Sequence, residues 1–371
     1  MKMSITSITY VTYQTFPAET ANSQQTISNI KYFVKSGVPV SLYFPLRESK
    51  SSTNLQTIQD FYSIDETFAV FGIKHFLPFG KVQIFQKFFF HISHYLWSIF
   101  VVNKYFKKNS SDSVFFTRSE WIAYFLANKN HKVIFECHQT SKIRNALMKK
   151  LKKKENIKFI FLNEYLKDYY NLQDGRDIVL HNGVDDELFV QNLERKERLI
   201  FVGSLSRFNK TRNVNFLIKC FKESELLQKY TLSIVGGPDE EAEKLSLEVE
   251  ENNLSQYIKI HGRLDRKNAI KEIQKSTIGI LLNSSENLHS FKYTSPLKYF
   301  EYLYGGLNII ANNFPANKVL PHQDKIQYFE EESVSDFVKA FNASITPNEI
   351  KRIELKDITL HERTRKILKL Y

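Results

Sequence analysis

Short apolar runs alternate with helical stretches in both halves of these 371 residues, and no other feature restricts the possible folds as strongly. The runs that read as buried strands include Val114–Thr117, Val133–Cys137, Leu199–Val202, Thr231–Val235 and Ile278–Leu282. Strands separated in this way by helices form parallel sheets with helices on both faces. The sequence therefore predicts an α/β protein with two Rossmann-like domains.

The length of the chain also favours two domains, because one core rarely grows beyond about 250–300 residues. A charged, aperiodic segment before Arg198 marks the predicted junction. We predict an N-terminal domain over 1–190, a C-terminal domain over 191–356 and a closing helix over 357–371 that can pack back on the N-terminal domain. Residues 47–57 are predicted to form a loop, and 61–80 show no regular pattern.

Composition fits a globular protein, with 42% hydrophobic and 25% charged residues. The two cysteines, Cys137 and Cys220, lack metal-site spacing and fit a reducing compartment. The N-terminus lacks the apolar region of a signal peptide, and polar residues interrupt the longest apolar stretch. We therefore expect a cytoplasmic protein, and its net charge of +12 indicates an anionic partner.

Val82–Lys108 is predicted to be a long helix with many aromatic side chains. It either packs against a sheet or lies in a membrane interface, where the lysines at its end would contact acidic lipid. His91 and His94 share one side of this helix, and we interpret them as packing residues rather than metal ligands. The lysine-rich stretch at 148–156 lacks interleaved aromatics, so we interpret it as a solvated helix surface and do not expect nucleic-acid binding.

The stretch at 293–313, YTSPLKYFEYLYGGLNIIANN, predicts a helix followed at once by a strand. Ser295 is the expected N-cap, Pro296 the first helical residue, and Gly305 with Gly306 the left-handed end of the helix. The helix N-terminus can hold a phosphate, and Glu301 can accept hydrogen bonds from vicinal hydroxyls. The alternative is a core helix whose Glu301 is merely solvated.

Glycines follow several predicted strands of the second half, at the sheet edge where α/β proteins bind ligands. They are Gly203, Gly236, Gly237 and Gly262, and none belongs to a GxGxxG or Walker pattern. Arg207 and Lys210 are the cations expected to neutralise a diphosphate there, the alternative being two solvated surface residues.

These motifs together resemble family 4 of the glycosyltransferases, a large retaining group with the GT-B fold. The match is strongest in SPLK-x-FEY-x-x-GG from Ser295 to Gly306. It is supported by FVGSL from Phe201, by HNGVD from His181, by ECHQ around His138 and by the TRSEWIAYFLA segment. The resemblance covers nearly the whole chain. It implies two Rossmann-like domains whose parallel sheets face one another across a cleft.

By this resemblance Glu301 binds the ribose, and the amides around Ser295, Pro296 and Leu297 meet the diphosphate. His138 would contact the transferred sugar, and Arg207 and Lys210 would stabilise the leaving group, so these three are the predicted catalytic residues. The remaining residues predicted to bind the donor nucleotide are Gly203, Ser204, Gly262 and Asn283.

The chain departs from the family pattern at several positions. Tyr293 stands where many members have the first of two glutamates, and Glu286 or backbone amides could replace it. Ser204 takes the place of an arginine, which Arg207 is expected to cover, and Thr211 follows Lys210 where a glycine is usual.

The resemblance implies a retaining glycosyltransferase that uses a nucleoside diphosphate sugar, with UDP or GDP as its nucleotide, and needs no cofactor. The sequence contains no Asp-x-Asp, so no essential metal is expected. The expected acceptor is a glycan or lipid-linked saccharide of capsule or lipopolysaccharide synthesis, reached from the inner face of the plasma membrane. Two alternatives stay open, namely another GT-B enzyme such as an epimerase or hydrolase, and a non-enzymatic basic binding protein.

Overall fold

The computed structural model describes residues 5–47, 50–75, 77, 86–106, 113–172, 175–190, 193–207, 210–345 and 352–371. The chain divides into two compact units. The first unit comprises Met1–Leu180 together with Leu360–Tyr371, and the second comprises His181–Thr359.

The first unit is built on a parallel sheet, seven-stranded in the part of the chain described. Its order is β3-β2-β1-β4-β5-β6-β7, and every pairing between neighbours is parallel. The strands are β1 Ser7–Val11, β2 Val40–Leu46, β3 Ala69–Lys74, β4 Ser113–Thr117, β5 Val133–Cys137, β6 Ile157–Phe161 and β7 Asp177–Val179. The crossover helices are α1 Ala21–Lys35, α2 Leu55–Tyr62, α3 Gln86–Tyr105, α4 Glu120–Asn128, α5 Lys142–Leu151 and α6 Glu164–Tyr170.

The second unit repeats this design after β7. Its described residues form a parallel six-stranded sheet with the order β12-β11-β8-β13-β14-β15, beside a short antiparallel hairpin of β9 and β10. The strands are β8 Arg198–Val202, β9 Ser206–Arg207, β10 Lys210–Thr211, β11 Thr231–Val235, β12 Ile258–Ile260, β13 Ile278–Leu281, β14 Asn308–Asn312 and β15 Ile326–Phe329. The helices are α7 Asn215–Glu223, α8 Asp239–Glu251, α9 Arg266–Gln274, α10 Leu297–Tyr304, α11 Pro315–Lys318 and α12 Val334–Ser344.

The central strands are buried along most of their length, which explains why they appear in the sequence as apolar runs. All five residues of β5 and of β8 are buried, as strands covered by helices on both faces require. Polar N-caps begin several of the helices: the Ser119 side chain accepts the N–H of Ile122, and Asp265 accepts that of Asn268.

The final helix α13, Leu360–Ile367, belongs to the first unit although it follows the second in sequence. Ile367 and Leu368 lie in the first unit's core. The Tyr371 hydroxyl donates to the carbonyls of Val133 and Asn156, at 3.0 and 2.7 Å.

Two elements of the first unit were missed by the sequence prediction. α2 begins inside the predicted loop, and β3 lies in the region without a pattern. The strand was hidden because β3 lies at the sheet edge, where five of its six residues are half-buried or exposed. For the aromatic helix, the structure describes Gln86–Tyr105 of the predicted 82–108.

Candidate functional site

The loops at the carboxyl edge of the second sheet approach one another through their backbones. The N–H of Gly203 donates to the Val235 carbonyl at 3.0 Å, and that of Gly236 donates to the Gly262 carbonyl at 2.8 Å. A Cβ added at Gly236 would lie 1.8 Å from the carbonyl oxygen of Gly203. Gly262 itself has a φ of +63°, which glycine adopts readily. Glycine is therefore required where these loops meet.

The other predicted residues of this edge have distinct environments. Ser204 is exposed, and its hydroxyl donates to the Ser206 carbonyl. Asn283 is half-buried, and its N–H donates to Oδ1 of Asn312 at 2.8 Å. The side chains of Arg207 and Lys210 lie outside the described residues, although their backbones form the hairpin of β9 and β10.

The helix α10 begins one residue later than its sequence suggested. Its N-cap is Pro296, without a side-chain capping bond. Ser295, the predicted N-cap, is buried, and its hydroxyl accepts the N–H of Asn182 at 3.0 Å. The Asn182 amide donates in turn to the Ser295 carbonyl at 2.5 Å. The serine was misassigned because a partner 113 residues away in sequence occupies its hydroxyl.

This contact gives the HNGVD segment a structural role, because its Asn182 holds the start of α10 in place. Leu297 is the first helical residue, and the C-cap Gly305 keeps right-handed dihedrals. Of the two glycines, Gly306 alone adopts the expected left-handed conformation, with a φ of +75°.

Glu301 is a buried carboxylate that faces two cations. Its side chain is 5% exposed, with Oε2 2.5 Å from Lys298 Nζ and Oε1 3.9 Å from Arg266 Nη2. Burial of a carboxylate is costly unless charges and hydrogen bonds compensate it. The solvated-residue alternative for Glu301 is therefore wrong, and its two oxygens retain lone pairs for further donors.

The neighbouring Tyr302 joins α10 to the sheet edge. Its hydroxyl accepts the N–H of Val202 at 2.8 Å, directly before the Gly203 loop. A Cβ at Gly279 would lie 2.5 Å from the Tyr302 ring, so the ring packs against the bare backbone of β13.

Two arginines that the sequence did not single out also lie close to the glycine loops. A Cβ at Gly203 would be 3.4 Å from Arg212 Nη1, and one at Gly237 would be 3.4 Å from Arg263 Nε. Lys298 and Arg266 add positive charge near Glu301. A compact edge with several cations and a helix N-terminus can bind an anion such as a diphosphate.

The position of the missing family glutamate is filled by an aromatic side chain. Tyr293 is 5% exposed and ends a short π-helical turn, His289–Tyr293, that leads into α10. Glu286, the suggested replacement, is exposed on the preceding loop.

In the first unit, His138 lies just past β5 and contacts a buried carboxylate. Its Nε2 pairs with Oε1 of Glu136, and its side chain is 24% exposed. Burial, with the charge of Arg118 adding, lowers the pKa of His138 to about 4 against the opposing effect of Glu136. Glu136 also forms ion pairs with Arg118 at 2.8 Å and with Arg363 at 2.7 Å. The sequence motif indicated a role for the histidine, but no pattern indicated one for Glu136.

A second group of polar side chains at this edge was also missed. The Tyr13 hydroxyl lies 2.8 Å from His75 Nε2 and 2.7 Å from Ser93 Oγ, and its ring stacks on His94 at 4.3 Å. The Arg47 guanidinium lies 4.4 Å from the centre of the Tyr13 ring. No spacing in the sequence connects these residues, because they follow different strands or lie on α3.

His94 is a buried packing residue, as its position on the aromatic helix suggested, and its Nε2 lies 2.6 Å from Ser119 Oγ. Among the described residues, no three His, Cys, Asp or Glu side chains are grouped so that they could hold a metal ion. Within the same part of the chain, no helix combines the length and apolarity needed to span a bilayer.

The second unit matches a known family. Residues 184–355 match the family model described as glycosyl transferases, group 1. The match to group 1 glycosyltransferases thus covers nearly the whole second unit. No curated protein sequence is significantly similar to the chain.

The glycosyltransferase fold extends over both units. A glycosyltransferase from Rickettsia africae shares 14% identity at a TM-score of 0.68, with 98% of each chain covered. A lipopolysaccharide outer core galactosyltransferase in its apo form shares 13% at a TM-score of 0.62, covering 98% of this chain and 99% of its own. A trehalose-6-phosphate protein from E. coli, bound with UDP-2-fluoro glucose, shares 11% at 0.62, covering 98% and 96%. The predicted α/β fold class of GT-B type is thereby confirmed.

Proposed function

We propose that this protein is a retaining glycosyltransferase that moves a sugar from a nucleoside diphosphate sugar to a hydroxyl of a glycan or lipid-linked acceptor. The observation that carries the proposal is the group 1 domain with Glu301 buried beside the start of α10. Two solved neighbours support it, since one is a galactosyltransferase of lipopolysaccharide and another holds a UDP-sugar. Capsule or lipopolysaccharide synthesis is the process in which we place the reaction.

The donor would bind at the carboxyl edge of the second sheet. Glu301 accepts the ribose hydroxyls, and the amides that follow Pro296 meet the diphosphate. Arg207, Lys210 and the helix N-terminus stabilise the charge of the leaving nucleotide, which makes a metal unnecessary. UDP or GDP is the expected nucleotide, and backbone near Gly262 and Asn283 contacts the base.

The decisive experiment is calorimetric titration of UDP, GDP, ADP and CMP, without metal, into wild type and Glu301→Ala. One nucleotide should bind wild type, and the variant should lose about 10- to 100-fold in affinity, because two hydrogen bonds to a charged group disappear. The matched control is Glu272→Gln, whose carboxylate pairs with Arg198 at 2.8 Å, at the opposite end of β8. It should keep the wild-type affinity.

Failure of wild type to bind any of the four nucleotides would refute the donor site and favour the basic binding protein. Complete turnover of a nucleotide sugar without acceptor would favour an epimerase or hydrolase. If a product forms, its anomeric configuration by NMR tests retention, and addition of EDTA tests the proposed independence from metal.

We further propose that the acceptor side belongs to the first unit and contacts anionic membrane through α3. Phe88, Ile92, Leu96 and Phe100 are 60, 40, 42 and 45% exposed on successive turns of this helix. Exposed apolar side chains in such a row are unusual for a water-facing helix, and Lys104 near its end supplies a positive charge. The net charge of +12 favours an acidic lipid surface.

Cosedimentation with phosphatidylglycerol vesicles tests this contact. Wild type should bind anionic vesicles, and the double variant Ile92→Ser with Leu96→Ser should bind several-fold less, because it loses buried apolar area. Leu247→Ser with Val190→Ser removes two exposed apolar side chains of the second unit and serves as the control. Equal binding by both double variants would exclude α3 as the contact.

A further inference from the structure

The carboxylate of Glu136 is fully buried and is shared among three side chains. Glu136 lies on β5 and is 0% exposed. Oε1 contacts both Arg118 Nη2, at 2.8 Å, and His138 Nε2, while Oε2 contacts Arg363 Nη2 at 2.7 Å. Burial raises the pKa of Glu136, but the two guanidiniums overcome that effect and hold it well below the usual value. Glu136 is therefore an anion at neutral pH.

An ionised carboxylate can only accept hydrogen bonds, so the imidazole nitrogen facing it must donate. That nitrogen is Nε2 of His138. Because its low pKa keeps His138 neutral at pH 7, only one ring nitrogen carries a proton. Nδ1 is then left as an acceptor. A carboxylate beside an imidazole fixes tautomer and ring orientation in this way in many sites.

We infer that Glu136 is a positioning residue, which holds His138 as the Nε2–H tautomer so that Nδ1 is presented as an acceptor to a hydroxyl of a sugar substrate. The tautomer follows from contacts within the first unit, whereas the assignment of the hydroxyl to a sugar substrate rests on the proposed function. Sugar substrates that keep that hydroxyl would be preferred over deoxygenated analogues, since a buried polar group without its partner is penalised.

The C-terminal helix takes part in this arrangement. Arg363 is a residue of α13, and besides Glu136 it lies 3.4 Å from Asn29 Oδ1 of α1. Arg118 follows β4 and donates to Asn22 Oδ1 at 2.8 Å. Arginines from two other segments thus hold the two oxygens of this carboxylate, and α1 contacts both arginines in turn. If these ion pairs only stabilised the fold, a histidine beside Glu136 would not be required.

The direct test is NMR of protein labelled with ¹⁵N-histidine at pH 7, with the His138 signals assigned by their loss in His138→Gln. Wild type should show the neutral Nε2–H tautomer. Glu136→Gln should show a mixture of tautomers, because an amide can donate as well as accept. Glu136→Asp, which keeps the charge but withdraws the carboxylate, is the second variant if the first does not fold. Fluorescence of Trp97 and Trp121 checks that the first unit has folded.

The matched control is Glu120→Gln, which breaks another buried ion pair of the first unit, to Arg144 at 2.8 Å. It should leave the tautomer of His138 unchanged. An Nδ1–H tautomer or an imidazolium in wild type would overturn the inference. So would a Glu136 variant that folds and keeps only the Nε2–H form.

A kinetic measurement separates this role from a structural one. The slow side reaction in which water replaces the acceptor is compared in wild type and Glu136→Gln, with UDP-glucose, UDP-galactose, UDP-N-acetylglucosamine and GDP-mannose as donors. Turnover of the accepted donor should fall about 10- to 100-fold, as for other residues that orient a functional histidine, while the Kd of the free nucleoside diphosphate stays within twofold. Unchanged turnover would overturn the inference. Failure of wild type to bind nucleotide would instead refute the proposed function and leave the tautomer result standing.

Discussion

The two sheets have corresponding strand orders, but their carboxyl edges are built from different groups. In the second unit, main chain meets main chain, with Gly203, Gly236 and Gly262 in direct backbone contact. In the first unit, the corresponding edge is filled by side chains that titrate and hydrogen-bond to one another, including His94 and Glu136. The edge of the second unit therefore depends on glycines that lack side chains, whereas the edge of the first unit depends on side chains that pair with one another.

Because of this difference, the two edges should be destabilised by different changes. A backbone site is sensitive to added volume, because neither loop can move without disturbing its strand. A site of paired side chains is sensitive to pH and to the loss of either partner, because a buried group left unpaired is costly. The two units should therefore respond to different perturbations.

The largest effect is expected from Gly236→Ala. The new methyl group would lie 1.8 Å from the Gly203 carbonyl oxygen, so the ends of β8 and β11 must separate. Overpacking of this kind lowers the free energy of unfolding by about 1–3 kcal/mol. Because backbone atoms on both sides crowd the new methyl group, we expect a loss of about 3 kcal/mol or more here. Urea unfolding followed by circular dichroism measures the loss, and calorimetry should show no remaining nucleotide binding.

The neighbouring Gly237→Ala is a close control. Its Cβ would lie 3.4 Å from Arg263 Nε, the flexible part of an exposed side chain. Stability should change by less than about 1 kcal/mol. Equal losses of stability in the two variants would show that the close approach of the Gly203 and Gly236 loops does not determine the stability of this edge.

Acidification should instead weaken the first unit. Burial, with His91, Arg144 and Arg47 adding and Glu120 opposing, lowers the pKa of His94 from 6.5 to about 4. The unfolded chain therefore binds more protons than the folded one between these values, and stability falls as pH drops through that window. His94 alone should account for about 1–2 kcal/mol between pH 6.5 and pH 5.

The chain offers a reporter for this effect, because its two tryptophans, Trp97 and Trp121, both lie in the first unit. Urea unfolding followed by tryptophan fluorescence should show a lower midpoint at pH 5 than at pH 7. His94→Gln, which keeps a hydrogen-bonding group but cannot titrate, should reduce the shift. An identical shift in this variant would assign the pH dependence to other groups, such as His75, whose pKa burial also lowers to about 4.

The same contrast explains what could be predicted from sequence. Apolar runs alternating with helical stretches indicated the fold class, since strands buried on both faces of a parallel sheet are near-continuous apolar runs. Glycines after strand ends and the SPLK-x-FEY segment predicted the edge at which we propose that the donor binds, because both are visible as short local patterns in the sequence. Glu301 was selected by its spacing from a helix start, and the structure does bury it there.

The first unit's edge could not be found in this way. Tyr13, His75 and Ser93 are separated by up to 80 positions, and the Arg363 that holds Glu136 is 227 positions from it. No periodicity records a contact of that range. The Ser295 N-cap was misassigned for the same reason, since Asn182 occupies its hydroxyl.

The smallest effect, and the finest comparison, is expected within α10 itself. Tyr302→Phe removes the hydroxyl that accepts the Val202 N–H and leaves a buried donor unpaired, at a cost of about 1 kcal/mol. Because Val202 directly precedes Gly203, the backbone loop should also loosen, and nucleotide affinity should fall about threefold to tenfold. Chemical denaturation and calorimetry measure the two quantities on the same protein.

Tyr299→Phe is the control, because the Tyr299 hydroxyl donates to the Pro321 carbonyl, away from the glycine loops. Both variants lose one buried hydroxyl from one helix, so their losses of stability should be similar. Only Tyr302→Phe should weaken nucleotide binding. If both variants bound nucleotide equally well, α10 would contribute to the donor edge through Glu301 and its N-terminus alone, and the backbone of β8 would not depend on it.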